Sequence, residues 1–530
     1  MNTTTLLQLS IAVAATATLG YAQSACDQVK ALALPNVTFT TIESIAAGPY
    51  RAPAQNADGG GVAPGRAGAA RGGAPAAAGR GGAGRGPAAP PLILPAYCRV
   101  AATLKPSADS DIRMEVWLPE NWNGKIEMVG NGGWAGVISY AAMAAAVKEG
   151  YASTSTDTGH EGGNGMFALG HPEKIVDFGY RAVHDTLVTA KAVSASYYGK
   201  GPKYSYWNGC STGGRQALVE VTRYPEDFDG VVAGAPANPH LHLHASSVER
   251  SMEEMKLPKD AALSTAKIET LHKAVMAQCD ARDGLKDGLI GDPLKCKFDP
   301  SVLLCKGADS DACLTAPQVE LAKVVYADVK TKKGETIWTG FEPGGELQYA
   351  SMRNIPAQPG GGLDSIRILG YQNAAWDWRM FDLDRDVAMA DEKAGFIDAH
   401  TYDLSPFKAH GGKLLLYHGW ADQAIPPGNT INFYKGVLAK MGAKQDDWMK
   451  LYMVPGMMHC QGGDGPDQFN KMAVVERWRE AGTAPKEIVA SHVSGGQVDR
   501  TRPLCAYPQV AVYKGAGSTN DASSFTCKLP

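Results

Sequence analysis

The stretch WNGCSTGGRQ sets Ser211 in a G-x-S-x-G frame running from Gly209 to Gly213, with Cys210 beside the hydroxyl. A serine hydroxyl is a poor nucleophile until a base takes its proton, and that base works best when a carboxylate orients it. Downstream, HGWADQAIPP carries Asp422 and VPGMMHCQGG carries His459, which is followed directly by Cys460. A serine, a carboxylate and an imidazole are the residue types of acyl transfer, in which a covalent acyl intermediate forms and water then cleaves it. The competing reading of Ser211 is a helix cap, a position that serine favours.

Ser211 follows the strand-like YSYWNG and precedes the helix-like RQALVEVTRY. A strand–turn–helix lifts a hydroxyl above the end of a sheet, and flanking glycines let the backbone turn sharply. In α/β-hydrolases the acid and then the base follow the serine, each after a later strand. Asp422 comes just after KLLLY and His459 just after WMKLYM, so both keep that order. His418 precedes its loop and reads as structural, and His184 reads as part of a helix face. His160, in DTGHEGG, stays a competitor for a place at the site. A developing oxyanion needs two backbone donors. One would be the amide of Thr212, and the other Gly132 or Gly133 in GNGGWAG, with the choice between them open. If Ser211 and His459 share a hydrogen bond, Cys210 and Cys460 are close enough to join, tying the serine turn to the histidine loop.

These residues need a scaffold that delivers them to one edge. KIEMVGNGG, GYASTSTDTG, KYSYWNGCS and FDGVVAGAPA each run apolar and end in Gly, Ser or Asp, and helical stretches such as DFGYRAVHDTLVTAKAVSASYYG lie between them. Two further strands come late, in GGKLLLYHGWAD and WMKLYMVPGMMH. The alternation predicts a parallel sheet with covering helices. Residues 238–405 interrupt it with four cysteines, many aspartates and several tryptophans, and read as a large insertion between two sheet strands. The catalytic core is therefore expected over 23–237 and 406–530.

Composition narrows the classes. The chain has 530 residues, 44% of them hydrophobic, enough for one large domain with insertions or two domains. A formal net charge of -3 argues against a general nucleic-acid or other polyanion binder. Residues 1–22 read as a signal peptide with an apolar run from Leu6 to Gly20 and a small-x-small site at Gly20-Tyr21-Ala22, although no Lys or Arg precedes the run. The run is short for a membrane span, so a secreted or periplasmic protein is expected. Ten cysteines then suggest a disulfide framework, and no C-x-x-C or H-E-x-x-H spacing points to zinc. Residues 56–91 are nearly all Gly, Ala, Pro and Arg and are expected to form a disordered surface loop rather than an RNA-binding tract.

The motifs GCSTGGRQA, HGWADQAIPP, GMMHCQGG and GNGGWAG, with FGYRAVHDT and AAWDWRMFDLDRD, resemble the tannase and feruloyl esterase family, which includes bacterial mono(2-hydroxyethyl) terephthalate hydrolase. The resemblance covers nearly the whole chain after the signal. It implies an α/β-hydrolase core with an inserted lid domain over 238–405, and esterase activity on phenolic esters. By it, Ser211, Asp422 and His459 are the triad and Cys210–Cys460 is the linking disulfide. The Gly/Ala/Arg-rich tract departs from the usual pattern without touching these motifs.

In the expected lid, CDARDGLKDGLIGDPLKC crowds Asp280, Asp283 and Asp287 into one turn, where a hard cation with oxygen ligands would hold them together. A solvated Asp/Gly turn is the plainer reading, and the spacing is not that of an EF-hand. The resemblance implies a structural calcium ion here, with Leu285 and Leu289 donating carbonyl oxygens. Cys279 and Cys296 bracket the turn. By order and resemblance the other pairs are Cys26–Cys98, Cys305–Cys313 and Cys505–Cys527.

The expected reaction is hydrolysis of a small aromatic ester by an exported serine carboxylesterase. Trp338, Phe341, Tyr349, Tyr371, Trp376 and Trp378 supply rings for a flat acyl group or, more plainly, the insertion's own core. A terephthalate monoester is the alternative within the family and would need a cation such as Arg367 for its free carboxylate. A serine peptidase or amidase, and a carbohydrate-binding protein with a vestigial site, are the alternatives from other classes.

Overall fold

The computed structural model describes residues 26–53 and 91–530. The expected signal peptide, 1–22, and the Gly/Ala/Arg-rich tract, 56–91 apart from Pro91, lie outside the described residues. The fold is mixed α/β with a large central, mostly parallel sheet of nine strands. Two compact units divide the chain: one takes Met1–Val129, Ala135–Gly163 and Arg181–Tyr206, the other Gly130–Trp134, Asn164–Tyr180 and Trp207–Pro530.

In the first unit, β1 (Val37–Ile45), β2 (Tyr97–Leu104) and β3 (Ile112–Pro119) run antiparallel side by side. Then come β4 (Lys125–Val129) and β5 (Ala152–Thr156). β5 pairs antiparallel to β3 and parallel to β4, with Ile126 opposite Ala152. Helix α1 (Tyr140–Lys148) packs Met143, Ala144 and Val147 on Trp117 and Val129. The longer α2 (Ala182–Tyr198) ends at Gly199 with φ 72°, a left-handed stop that glycine takes without steric cost. Cys26 is bonded to Cys98.

The second unit carries the chemistry-bearing motifs. Its strands follow the order β6 (Tyr204–Cys210, in this unit from Trp207 on), β7 (Gly230–Gly234), β8 (Lys413–Gly419) and β9 (Met449–Val454). β8 lies parallel to both β7 and β9, with Leu414 facing Val231 on one side and Met449 on the other. All of β7 and β9 is buried, which is why VVAG and KLYMV read as near-continuous apolar runs. Helix α3 (Thr212–Arg223) leaves the end of β6.

Between β7 and β8, residues 238–405 form α4 (His240–Met255), α5 (Thr265–Cys279), α6 (Ala316–Tyr326) and α7 (Leu383–Ala394). Side chains start three of these helices. Ser264 accepts from the Lys267 amide, Thr315 and Gln318 make a capping box, and Asp382 accepts from the Arg385 amide. The stretch has an apolar core of its own, including Leu271, Val275, Val325, Phe341, Tyr349 and Met352. After β9, α8 being Gly428–Met441 and α9 Lys471–Ala481, the chain closes on two antiparallel hairpins. These are β10 (Glu487–Ser494) with β11 (Gln497–Cys505), and β12 (Val510–Tyr513) with β13 (Phe525–Lys528).

Candidate active site

Ser211 stands at the junction of β6 and α3 with φ 64° and ψ -124°. That left-handed conformation is costly for a residue with a Cβ and persists only where the surroundings enforce it. They do so by close approach. A Cβ on Gly209 would lie 2.5 Å from the Gly213 carbonyl oxygen, and one on Gly214 would lie 2.3 Å from that of Gly234. The turn is pinned by Ser211 N to Gly234 O at 3.0 Å and by Ala237 N to Ser211 O at 3.1 Å. The Ser211 side chain makes no capping hydrogen bond to α3, so the plainer helix-cap reading does not hold.

The other expected partners are in the same unit, on the loops after β8 and β9. His459 Nδ1 lies 2.8 Å from Asp422 Oδ2, and the His459 amide donates to Gln423 Oε1 at 3.0 Å. The second Asp422 oxygen accepts from the amides of Ala424 and Ile425, both at 2.8 Å. Burial alone would raise the Asp422 carboxyl. The His459 charge, with hydrogen bonds from His418 and His459, outweighs it and holds the group well below the usual carboxylate range. Burial would lower His459, but the charge and hydrogen bond of Asp422 prevail and raise it above its ordinary value.

Cys210 and Cys460 are joined, their Cα atoms 6.0 Å apart across 250 residues of sequence. The bond ties the residue before Ser211 to the residue after His459. Among the described residues the Ser211 hydroxyl is recorded in no hydrogen bond. Catalytic hydrogen bonds commonly tighten only when substrate arrives.

The glycine loop is fastened to the same turn. Asn131 takes Gln216 Oε1 on its amide at 3.1 Å and Gln216 Nε2 on its side-chain oxygen at 2.9 Å, while its carbonyl accepts from the Gly213 amide at 2.8 Å. The Thr212 hydroxyl donates to the Gly133 carbonyl. Among the described residues the amides of Gly132, Gly133 and Thr212 are recorded donating to no protein acceptor. Orphan amides beside a raised serine are what an oxyanion needs. Gly132 and Gly133 both keep open space where a Cβ would stand, so they remain equal candidates.

Of the competing histidines, His160 belongs to the first unit, buried, with Nδ1 3.4 Å from Thr158 Oγ1. His184 lies on α2. His418 is not merely structural filler: its Nε2 is 3.1 Å from Asp422 Oδ2. Motif reading passed over Gln423 and took His418 as structural, although both sit inside HGWADQ. It also passed over Trp134. Its ring meets those of Phe178, His240 and His244 at 5.8, 5.1 and 5.3 Å, directly after the glycine loop.

The aromatics counted in the insertion divide. Trp338, Phe341 and Tyr349 are core residues, with Trp338 packed on Ala237 and Ile425. Tyr371 and Trp376 stack on each other at 5.1 Å, and Trp378 lies under Arg379. Arg367 is engaged by Asp364, Nε to Oδ1 at 2.7 Å.

In the acidic turn the three carboxylates organise the backbone. Asp280 accepts from the amides of Asp287 and Gly288, Asp283 from those of Leu285 and Gly291, and Asp287 from that of Leu289. Arg502 pairs with Asp287 from β11. Burial, with a smaller contribution from Asp287 and Asp280, raises Asp283 to about 6 against the pull of its amide donors. The donors are all hard oxygens and the negative charge is incompletely balanced, which fits a hard cation. Asp280, Asp283 and Asp287 do not bring their oxygens within 4.8 Å of one another; the group of His, Cys, Asp or Glu ligand atoms that does so among the described residues is Cys305, Asp309 and Cys313. Its two sulfurs are bonded to each other and Asp309 is paired with Lys267, so no thiolate is left to bind a metal. The pairs Cys279–Cys296 and Cys505–Cys527 are also present.

The family model described as tannase and feruloyl esterase matches residues 98–528. An uncharacterized esterase of Xanthomonas campestris pv. campestris is 36% identical over 98% of this chain and 94% of its own length. A probable feruloyl esterase B-1 of Aspergillus flavus is 34% identical over 81% of this chain and 86% of its own. The crystal structure of feruloyl esterase B from Aspergillus oryzae superposes with a TM-score of 0.84 at 30% identity, covering 96% of this chain and 100% of that one.

Proposed function

Since this chain belongs to the tannase and feruloyl esterase family, and is therefore a carboxylic ester hydrolase, we propose that it is an exported serine esterase that cleaves esters of aromatic, phenolic acids through an acyl-enzyme. The observation that carries the serine mechanism is the strained Ser211 turn disulfide-linked to the loop of an Asp422-oriented histidine. Asp422 occupies His459 Nδ1, which leaves Nε2 to work as the base. Ser211 Oγ attacks the ester carbonyl carbon and its proton passes to His459 Nε2. The carbonyl oxygen becomes an oxyanion facing the amides of Thr212 and of Gly132 or Gly133. Collapse expels the alcohol, which takes the proton from His459. Water then gives a proton to the same nitrogen and attacks the acyl-serine; collapse breaks the bond to Ser211 Oγ, which takes the proton back from His459 as the acid leaves.

An aromatic acyl group is supported by the feruloyl esterase relatives and by the Trp134 ring cluster that follows the glycine loop. The terephthalate alternative is weaker, because the Arg367 charge already serves Asp364. The aspartates Asp280, Asp283 and Asp287, with the carbonyls of Leu285 and Leu289, form the calcium site of this proposal, in a lid spanning 238–405. The ion would neutralise crowded carboxylates and take no part in the chemistry. Five disulfides favour an oxidising compartment, secreted or periplasmic, and among the described residues no helix is long and apolar enough to cross a membrane.

A panel of methyl ferulate, methyl gallate, a terephthalate monoester and a short aliphatic ester tests the substrate class. We expect the highest kcat/KM on a phenolic ester. A best rate on the aliphatic ester would remove the aromatic pocket while leaving the esterase, and turnover of amides in preference to esters would remove the esterase mechanism.

A further inference from the structure

The carboxylate that orients the histidine is itself held by a second imidazole. His418, at the end of β8, is fully buried. Its Nε2 lies 3.1 Å from Asp422 Oδ2 and 2.9 Å from the Ile425 carbonyl, and its Nδ1 lies 2.8 Å from Thr430 Oγ1 on α8. The oxygen it meets on Asp422 is the one that meets His459 Nδ1 at 2.8 Å.

The protonation pattern follows from the partners. Asp422 is ionised, and a backbone carbonyl carries no proton. A nitrogen within hydrogen-bond distance of both must bear the hydrogen. His418 therefore carries a proton on Nε2, and its Nδ1 faces the Thr430 hydroxyl. Asp422 then receives four donors: two amides on one oxygen, and two imidazoles on the other.

Two donors on one carboxylate oxygen share its charge. Resting on the serine mechanism proposed above, we propose that His418 is a positioning residue that fixes the Asp422 carboxylate and draws charge from the oxygen facing His459, so tuning the base. With His418 removed, that oxygen bears more charge on His459 alone, the imidazolium is favoured, and the base titrates at higher pH. The Asp422 charge is felt in turn at Tyr349 and Tyr417, both raised by burial and neutral in the working pH range.

The test uses the full chain and three variants. His418→Gln keeps a donor near the Nε2 position, whereas His418→Asn keeps only the contact toward Thr430. We expect His418→Asn to lower kcat by about tenfold to a hundredfold with little change in KM, as misplacement at a reacting site does. Its acid limb of kcat/KM should move to higher pH, and His418→Gln should recover most of both. A packing role alone would lower the melting temperature and leave the limb unmoved. Should His418→Asn fail to fold, nitrogen-15 shifts of the wild-type histidines decide: the Nδ1–H form at His418 would overturn the proposal, and the Nε2–H form supports it. Ser211→Ala separates the two readings. Residual wild-type turnover in that variant would overturn the serine mechanism and this proposal with it. An inactive Ser211→Ala beside a folded His418→Asn with unchanged kcat and limb would overturn this proposal alone.

Discussion

At the residue scale, Asp422 is the most constrained group in the candidate site. It is fully buried, yet every lone-pair direction its neighbours can reach is used by an amide or an imidazole. A buried charge is tolerable only under such saturation. Its cost is returned as basicity at His459. A catalytic base must be neutral to accept a proton, and the Asp422 charge makes His459 hold its own proton to a pH above the ordinary 6.5. Activity should therefore fall as pH drops through a value above 6.5, and a kcat/KM profile with its acid limb below that value would contradict the pairing. The nucleophile makes a sharper prediction. Ser211→Ala should cost about a thousandfold or more in kcat while the melting temperature holds, because members of a triad act as a unit. Folded protein retaining activity within tenfold would remove Ser211 from the mechanism.

At the element scale, the histidine loop and the acidic turn press on one another inside the second unit. Gly456, three residues before His459, has φ +68°, and a Cβ there would sit 2.6 Å from Leu289 Cδ2 and 2.9 Å from the Gly465 amide nitrogen. Leu289, Trp420 and Met458 line one shared cavity, so the acidic turn and the residues near Asp422 and His459 face the same space. Gly456→Ala is therefore expected to lower both melting temperature and kcat, since it adds backbone strain and a clash. Leu289→Ala in the same chain should restore part of the loss by removing the clashing methyl. Wild-type behaviour of Gly456→Ala would show that the two loops are free of one another. The same contact bears on calcium. An ion at about a hundred times its Kd would add about 2.7 kcal/mol of stability. EGTA should thus lower the melting temperature by a few degrees, with kcat falling only where unfolding begins. Dialysed protein without calcium, and melting unchanged by EGTA, would remove the ion from the turn.

At the scale of the whole molecule, what could be read from the sequence was whatever is local. The four early stretches and the two late ones read as strands are all strands, and β7, β8 and β9 stood out because a strand buried on both faces needs uninterrupted apolar residues. The antiparallel strands β1 to β3 escaped, since β1 finds its partner β2 across a long compositionally biased tract and pairing at that range leaves no local trace. His418 escaped for a related reason: its role depends on a loop folding back four residues to bring Asp422 under its ring. Trp338 is a core residue, the plainer of the two readings its sequence offered, and the choice stayed open there because residue type alone does not say which side of an element faces in. Cys210–Cys460 was legible because each cysteine stands beside a motif, and Cys279–Cys296 because it brackets the acidic turn, while Cys26–Cys98, Cys305–Cys313 and Cys505–Cys527 came from order and the family resemblance. A bridge closing the 17-residue separation of Cys279 and Cys296 contributes about 3 kcal/mol to stability in the chain-entropy model, whichever residues it joins. Cys210–Cys460 should behave differently, because opening it frees two loops whose side chains must meet within a fraction of an ångström. We therefore expect a Cys210→Ala/Cys460→Ala double variant to lose at least about tenfold in kcat while the melting temperature of the folded chain drops only modestly. Mild reductant should inactivate the wild type in step with alkylation of these two thiols, followed by peptide mapping. Activity that survives complete alkylation at both positions would mean that the serine and histidine loops hold their geometry without the bond.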